Sequence, residues 1–300
     1  MATRKIIFAH HTITEMAEKV AEMVGVAIGG ISWQSFGDGW PKIFIEDADQ
    51  VRNQDVIFFA NFEKPESLFE QFAILYAMPM HLVHSFRVIV PFYPVGTMER
   101  VTEYGEIATA KTLARMLSTI PRSPIITIFD IHALQTQFYF DDTRVLPELV
   151  SAIPLLKGRI KYIPNVAIAF PDDGAHKRFG AMFPEYPKIV CNKVKMPDGT
   201  KVVTIKEGDP RGKYIIMVDD LILSGGTLIE CQKVLMLAGA YKISAYATHG
   251  VFVHDSWKKF TPDLFDFVWL TDSCPDTVAK VESEPYFEVL SLSPLIAKLL

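Results

Sequence analysis

Three hundred residues, 49% hydrophobic and 22% charged, describe a globular chain of about two ordinary domains with ample material for a core. The net charge of -5 and the lack of a long basic run argue against nucleic acid as a partner. No apolar run reaches the ~18–20 residues that a membrane helix needs, so no membrane partner is expected either. Cys191, Cys231 and Cys274 are far apart and odd in number, which fits a reducing compartment better than a disulfide framework or a zinc site. A strand-like run close to the N-terminus leaves no room for a leader, and the expected location is cytoplasmic.

The first predicted elements alternate. Ile6–Ala9 is a strand, and His10 and His11 behind it are read as loop histidines. Met16, Val20, Met23 and Val24 form an apolar helical stripe that ends at Gly25. Strands follow at Ile31–Phe36, Ile43–Ile45 and Val56–Ala60, with a turn at Gly37-Asp-Gly39. Pro65 opens a helix predicted to bury Leu68, Phe69, Phe72 and Leu75, with Pro79 beyond its end. A strand at Phe86–Phe92, a helix from Ile107 to Leu117 and a strand at Ile125–Phe129 complete the first half. The second half repeats the scheme, with strands at Val166–Phe170, Ile189–Val194, Val202–Ile205, Tyr214–Val218, Ile243–Thr248 and Phe267–Leu270. Such alternation argues an α/β architecture with largely parallel sheets. The expected division is 1–145, 146–285 and a closing segment 286–300 that packs back on the first half.

Chemistry-bearing clusters lie just past strand ends, where α/β proteins place their sites. Asp130 and His132 can bind or orient a metal ion, although a satisfied structural histidine is the commoner explanation of such a pair. Asp172 and Asp173 in a strand-to-helix loop suit Mg²⁺; an Asx turn or a helix cap explains them equally well. Lys193 and Lys195 alternate on one strand and therefore share a face. Pro91-Phe-Tyr-Pro94 through Arg100 contains aromatics that read as core. The densest signal is Val218-Asp-Asp-Leu-Ile-Leu-Ser-Gly-Gly-Thr227, an apolar strand, two carboxylates and a glycine turn into a helix carrying Leu228, Cys231 and Leu235. Glycines permit the turn, and the helix N-terminus favours an anion. Asp219 and Asp220 can accept hydrogen bonds from sugar hydroxyls. Together these features describe a cradle for ribose 5-phosphate.

Val218–Thr227 resembles the ribose-phosphate loop of the type I phosphoribosyltransferase superfamily. Within it, the chain resembles the ribose-phosphate diphosphokinase (phosphoribosyl pyrophosphate synthetase) family over nearly its whole length. Asp130-Ile-His-Ala-Leu-Gln135 matches that family's Asp-Leu-His-Ala-x-Gln. Pro171-Asp-Asp-Gly174 with Lys177-Arg178 matches its Pro-Asp-x-Gly segment, and Thr248-His-Gly-Val-Phe252 its Thr-His-Gly-x-Phe. The resemblance implies two tandem type I phosphoribosyltransferase-like domains. It implies Mg²⁺-dependent transfer of the β,γ-diphosphoryl group of ATP, or another nucleoside triphosphate, to O1 of ribose 5-phosphate. It implies that Asp219, Asp220, Leu223, Ser224, Gly225, Gly226 and Thr227 bind ribose 5-phosphate. It implies that Lys193, in the place of the family's mobile catalytic lysine, Lys195, where Arg is frequent, and His132 are catalytic, and that His132 and Asp172 lie near Mg²⁺ and the triphosphate. Met196–Thr200 supplies turn residues for a hairpin or a mobile flap. A homo-oligomer is the usual assembly.

Two segments depart from the common pattern. Phe36-Gly-Asp38-Gly-Trp40 replaces Phe-Ser-Asn-Gly-Glu, and Thr97-Met-Glu99-Arg100 replaces Arg-Gln-Asp; both contact the nucleotide in the common class. The combination, with Ser224–Glu230 and Thr271-Asp-Ser-Cys-Pro275, is similar to the plant-type, class II branch. Two alternatives remain at this stage: a non-catalytic regulatory partner of a synthetase, and a base-specific phosphoribosyltransferase.

Overall fold

The computed structural model describes residues 4–195 and 201–300. The chain divides into two compact units, Met1–Ser151 with Leu292–Leu300, and Ala152–Ser291.

The first unit opens with β1 (Lys5–Ala9), in which Ile7 and Phe8 are buried. Helix α1 (Thr14–Val24) buries Met16, Ala17, Val20 and Ala21. Gly25 ends it in the left-handed region (φ 67°), its N–H bonded to the carbonyls of Ala21 and Glu22, as the glycine stop predicts. After β2 (Ala27–Ile28), β3 (Ile31–Ser35) and β4 (Pro41–Ile45) pair with each other as a separate antiparallel ribbon. The main sheet continues with β5 (Asp55–Phe59), α2 (Leu68–Ala77), β6 (Ser85–Val90), α3 (Thr109–Leu117), β7 (Ile125–Phe129) and β8 (Leu146–Val150). Its strand order is β2-β1-β5-β6-β7-β8, and every pairing is parallel.

Two expectations change here. Helix α2 buries Gln71, Phe72, Ile74 and Leu75, whereas Phe69 is 60% exposed and its ring meets Trp40 edge-on at 5.1 Å. The buried stripe thus centres on the Gln71–Leu75 side of the helix. Strand β8 pairs with β7 from Ile125↔Leu146 to Phe129↔Val150, so the first unit runs through Ser151 rather than ending at 145. Its Leu146-Pro-Glu-Leu-Val150 is a half-buried sheet edge, where Pro is tolerated and apolar patterning is weak.

The second unit comprises α4 (Ile153–Ile160), β9 (Val166–Phe170), α5 (Asp173–Phe179), β10 (Lys188–Lys195), β11 (Lys201–Glu207), β12 (Tyr214–Ile222), α6 (Gly226–Leu237), β13 (Lys242–Gly250), β14 (Val268–Thr271), α7 (Pro275–Val281) and β15 (Phe287–Leu290). The order is β11-β10-β9-β12-β13-β14-β15, with only the β10–β11 pair antiparallel. Ala167, Ala169, Ile215 and Met217 fall on one core cluster; Val166, Ile168, Phe170, Ile216 and Val218 fall on the other. Helices cover both faces, which is why these strands read as continuous apolar runs. Strand β15 stays in this sheet beside β14, so the segment that returns to the first unit is Leu292–Leu300 and not 286–300. Its helix α8 (Ser293–Leu299) packs on α1, and the Lys5 ammonium donates to the Leu300 carbonyl.

Each sheet has one point where the chain reverses its direction of travel across the strands. In the second it lies between β9 and β12, and in the first between β1 and β5. Loops leaving adjacent strands there diverge to opposite sides and open a crevice at the carboxyl ends.

Candidate active site

The second unit's switch point assembles most of the sequence-predicted site. Strand β12 does not stop at Val218; it pairs with β13 as far as Ile222↔Gly250. Asp219 and Asp220 are therefore strand residues, not loop residues. Successive strand side chains alternate between faces, so the two carboxylates approach the loop from the two sides of the strand. Asp220 is buried, and its N–H donates to Asp219 Oδ1 at 2.9 Å. Pairing of β9 with β12 reaches Ala169↔Met217, so Asp172 and Asp219 leave neighbouring strands at the same level. The Asp219 carboxyl is held well above the usual carboxylate range, first by burial and then by the negative charges of Asp220 and Asp172. Part of the residue reaches the surface, but its carboxyl is closely surrounded.

Asp172 also caps α5: its Oδ1 accepts the Ala175 N–H at 2.9 Å. The helix-cap explanation therefore applies, and it leaves the remaining carboxylate lone pairs for a second role. Asp173 turns away from this group to pair with Lys206 at 2.8 Å. Asp172 and Asp220 are thus near enough to Asp219 for their charges to be felt there, and carboxylate oxygens are the donors that sugar hydroxyls and hard divalent cations seek.

Ser224–Thr227 turn the chain into α6. Gly225 lies at φ 73°, and a Cβ there would stand 2.3 Å from the Phe260 ring, so the position requires glycine. Gly225 is also the N-cap, where no side chain caps the helix. The first-turn N–H groups of α6 thus face the loop without a side-chain acceptor, an arrangement that favours a phosphate. Leu223, Ser224 and Gly226 are exposed, and Thr227 is half-buried. Lys193, on β10, reaches the same helix, with its Nζ 3.3 Å from Glu230 Oε2. Of Lys195 only the backbone is described, paired with Lys201, and Met196–Thr200 lies outside the described residues.

The remaining predicted residues belong to the first unit. Phe36, Asp38 and Trp40 form the tip of the β3–β4 ribbon. The Phe36 N–H donates to the Trp40 carbonyl at 2.8 Å, and Asp38 Oδ1 accepts the Trp40 N–H at 3.2 Å. Phe36 and Trp40 are 54% and 59% exposed, whereas Tyr93 in the Pro91–Arg100 segment is buried, as its core reading expects. Thr97 and Arg100 are exposed, while Glu99 is buried and accepts from Arg100 Nε at 2.7 Å. His132 is exposed just beyond β7, and a Cβ on Gly96 would stand 3.1 Å from its own Cβ, so the loops carrying Thr97 and His132 meet. Asp130 before it is buried and left-handed (φ 32°), a backbone strain of the kind that functional loops retain.

Residues 5–120 match the sequence profile described as the N-terminal domain of ribose phosphate pyrophosphokinase, and residues 184–299 match the phosphoribosyl synthetase-associated domain. Ribose-phosphate pyrophosphokinase 3, chloroplastic, of Arabidopsis thaliana is 49% identical over 99% of this chain and 75% of its own length. Ribose-phosphate pyrophosphokinase 4 of Oryza sativa subsp. japonica is 48% identical over 94% of this chain and 91% of its own.

The chain belongs to the ribose-phosphate pyrophosphokinase family.

It is an enzyme of that family, which forms phosphoribosyl pyrophosphate, and its plant-type resemblance holds. The fold agrees: the crystal structure of phosphoribosylpyrophosphate synthetase from Mycobacterium smegmatis superposes with a TM-score of 0.85 at 24% identity, covering 99% of this chain and 97% of that one. Among the described residues no helix is long and apolar enough to cross a membrane. Some plant pyrophosphokinases of this family are named chloroplastic or mitochondrial, so the cytoplasmic expectation does not follow from membership.

Glu230, His249, Val251, Phe252 and Ser273 lie in segments that the resemblance matched, but their contacts were not legible there, and Val253 and Ser256 carried no sequence signal. Glu230 holds Lys193. The segment after β13 buttresses the β12–α6 loop: the Ile222 carbonyl accepts the Val251 and Phe252 N–H groups, and the Leu223 carbonyl accepts from Val253 N (3.0 Å) and Ser256 Oγ (2.8 Å). Phe252, His254 and Asp255 there are all left-handed (φ 47°, 54° and 54°), strain that the surrounding bonds must hold in place. His249, in the matched Thr-His-Gly segment, is buried. The Ser273 hydroxyl donates to the Thr248 carbonyl at 3.0 Å, so His249 Nδ1 is the donor in its 2.9 Å bond to Ser273 Oγ.

Proposed function

We propose that this pyrophosphokinase transfers the β,γ-diphosphoryl group of ATP to O1 of ribose 5-phosphate, with Mg²⁺, in the cytoplasm and as a homo-oligomer. The observation that carries the reading is the convergence, at one switch point, of an uncapped helix N-terminus with the carboxylates of Asp172, Asp219 and Asp220.

The 5-phosphate sits on the N–H groups of Leu223–Thr227, with the Ser224 and Thr227 hydroxyls beside them. Asp219 and Asp220 accept from the ribose hydroxyls and orient the anomeric oxygen. Burial first, and then the repulsion of Asp220 and Asp172, raises Asp219, and a bound cation would relieve that repulsion. Asp172 is proposed as a ligand of Mg²⁺, and His132, in the first unit, is proposed for the same role on the resemblance alone. Bound Mg²⁺ supplies charge neutralisation for the triphosphate and the carboxylates. The O1–Pβ bond forms as the bond from Pβ to the bridging oxygen of the α-phosphate breaks; AMP departs and the O1 proton is lost. Such transfers depend on positioning and charge stabilisation. Lys193 serves the second need, since its half-exposed pair with Glu230 is of the weak class readily exchanged for a phosphate oxygen. Lys195 is proposed as a second cation on the resemblance alone. Phe36 and Trp40 are proposed to stack on the nucleotide base, with Asp38, Thr97, Glu99 and Arg100 contacting its polar edges.

Phosphorus NMR of the protein with ribose 5-phosphate, ATP and Mg²⁺ tests the reading. The expected products are a diphosphate ester on ribose C1 and AMP in equal amounts. Release of ADP, or no product from folded protein, would count against it; GTP, CTP and UTP in place of ATP measure the donor range.

A further inference from the structure

The first unit has its own switch point, between β1 and β5, and no glycine-rich loop occupies it. His10 and His11 leave the end of β1 there, and Glu70 comes from α2. His10 Nε2 lies 2.6 Å from Glu70 Oε1, and His11 Nε2 lies 3.6 Å from the same oxygen. The three ligand-capable atoms all fall within 4.8 Å of one another. A tetrahedral ion with bonds of about 2.0–2.1 Å needs ligand atoms about 3.3 Å apart. The two contacts to the shared oxygen bracket that spacing.

The groups behind these atoms hold them in place. His10 Nδ1 is 2.8 Å from Thr12 Oγ1, which also accepts from Asn61 Nδ2 at 2.9 Å. Asn61 is fixed by Gln71 in both directions: its N–H donates to Gln71 Oε1 (2.8 Å), and its carbonyl accepts from Gln71 Nε2 (2.6 Å). His10, Asn61 and Gln71 are buried. At 2.6 Å the metal-free contact is His10 Nε2–H donating to Glu70, with Nδ1 accepting the Thr12 hydroxyl proton. A metal ion at Nε2 displaces that proton, and the Thr12 oxygen, which already accepts Asn61 Nδ2–H, can then accept Nδ1–H and hold the ring. The His11 side chain is 53% exposed, which leaves a route from solvent to the third ligand and an open coordination position.

We propose that His10, His11 and Glu70 form a second metal site, separate from the ribose-phosphate loop and its carboxylates. The chemical class is set by the donors. Two imidazoles and one carboxylate suit Zn²⁺, Co²⁺ or Ni²⁺ and are poorly matched to Mg²⁺, which seeks oxygen. The ion ties the end of β1 to α2 and stiffens the crevice of the first sheet.

Co²⁺ titration of the full chain, with millimolar Mg²⁺ present to fill oxygen sites, tests this. Visible absorption reports coordination, and quenching of Trp33 reports proximity, because its ring centroid lies 4.9 Å from His10 and 6.0 Å from His11. One equivalent of Co²⁺ per chain is expected. His11→Ala and Glu70→Gln should each weaken it at least ~10-fold, and Thr12→Val by ~10–100-fold, the range for groups that orient a ligand. His11 is exposed, so its variant folds even where Glu70→Gln does not. Zn²⁺ should raise the melting temperature of the wild type and not of His11→Ala. Wild-type protein that takes up no Co²⁺ in millimolar Mg²⁺, or a His11→Ala variant that keeps wild-type affinity and quenching, overturns the proposal.

Discussion

At the scale of single residues, this site is organised by charges held close to like charges. Asp219 is the clearest case. Burial and two neighbouring carboxylates raise its pKa above the ordinary value of 3.8, so the folded state binds a proton that the unfolded state releases. Stability therefore falls as pH climbs from about 4 through the elevated value. Asp219→Asn removes that cost. Its melting temperature should exceed that of wild type by about 2–8 °C at pH 7.5, with the gap closing near pH 4. The same variant should bind ribose 5-phosphate about 10- to 100-fold more weakly, the worth of a hydrogen bond to a charged group. Melting curves at the two pH values and a binding titration check both halves; a variant less stable than wild type at pH 7.5 would remove the electrostatic account. Lys193 makes the complementary case. Its pair with Glu230 is half-exposed and contributes little to stability. Lys193→Ala should lower kcat by ~10²–10³, as loss of one transition-state donor does, while its circular dichroism and melting temperature stay those of wild type. An unchanged kcat would take the residue out of the mechanism.

Among the elements, the β3–β4 ribbon stands apart because it lies outside both large sheets and ends in exposed aromatics. Trp40 and the exposed Phe69 ring that it meets, with Phe36 beside them at the ribbon tip, make an apolar surface of the kind that marks a binding site. A nucleotide base is the proposed cover, and base–aromatic stacking is worth about 1–3 kcal/mol. Trp40→Ala should then raise KM for the nucleoside triphosphate about 5- to 100-fold, leaving KM for ribose 5-phosphate within about twofold. Its stability should be nearly unchanged, since little burial is lost. Equal changes in both KM values would point to a packing role instead. The β12–α6 loop is the opposite sort of element. Its carbonyls are tied to the strained Phe252–Ser256 segment and its glycine is pressed against Phe260, so it is held in shape before any ligand arrives. Preformed donors of this kind reduce the ordering cost of binding.

Across the whole molecule, the two units are joined twice. The chain leaves the first at Ser151 and returns to it from Leu292. Leu292 and Ile296 are fully buried, and α8 lies on α1. The C-terminal residues are thus part of the first unit's core. Ile296→Ala should cost about 2–5 kcal/mol, as for other buried large-to-small changes. Hydrogen exchange should show the loss in α1 and β1 before it appears in the second unit's sheet. Uniform protection across both units would argue that α8 is dispensable.

Much of this was legible in the chain itself, because strands and helices repeat local patterns. Ile125–Phe129 and Val166–Phe170 match their predicted bounds, and Gly25 ends its helix as expected. The proposed ribose-phosphate loop is also local: strand end, carboxylates, glycines and helix start lie within ten consecutive residues. What the chain did not reveal depends on packing between distant segments. β8 is an edge strand whose membership comes from its hydrogen-bonded neighbour. The extension of β12 to Ile222 depends on β13, and the burial of α8 on α1. His10 and Glu70 are sixty residues apart in sequence, so no spacing rule joins them. They meet because β1 and β5 are adjacent in the sheet and α2 follows β5, and only the tertiary structure decides that.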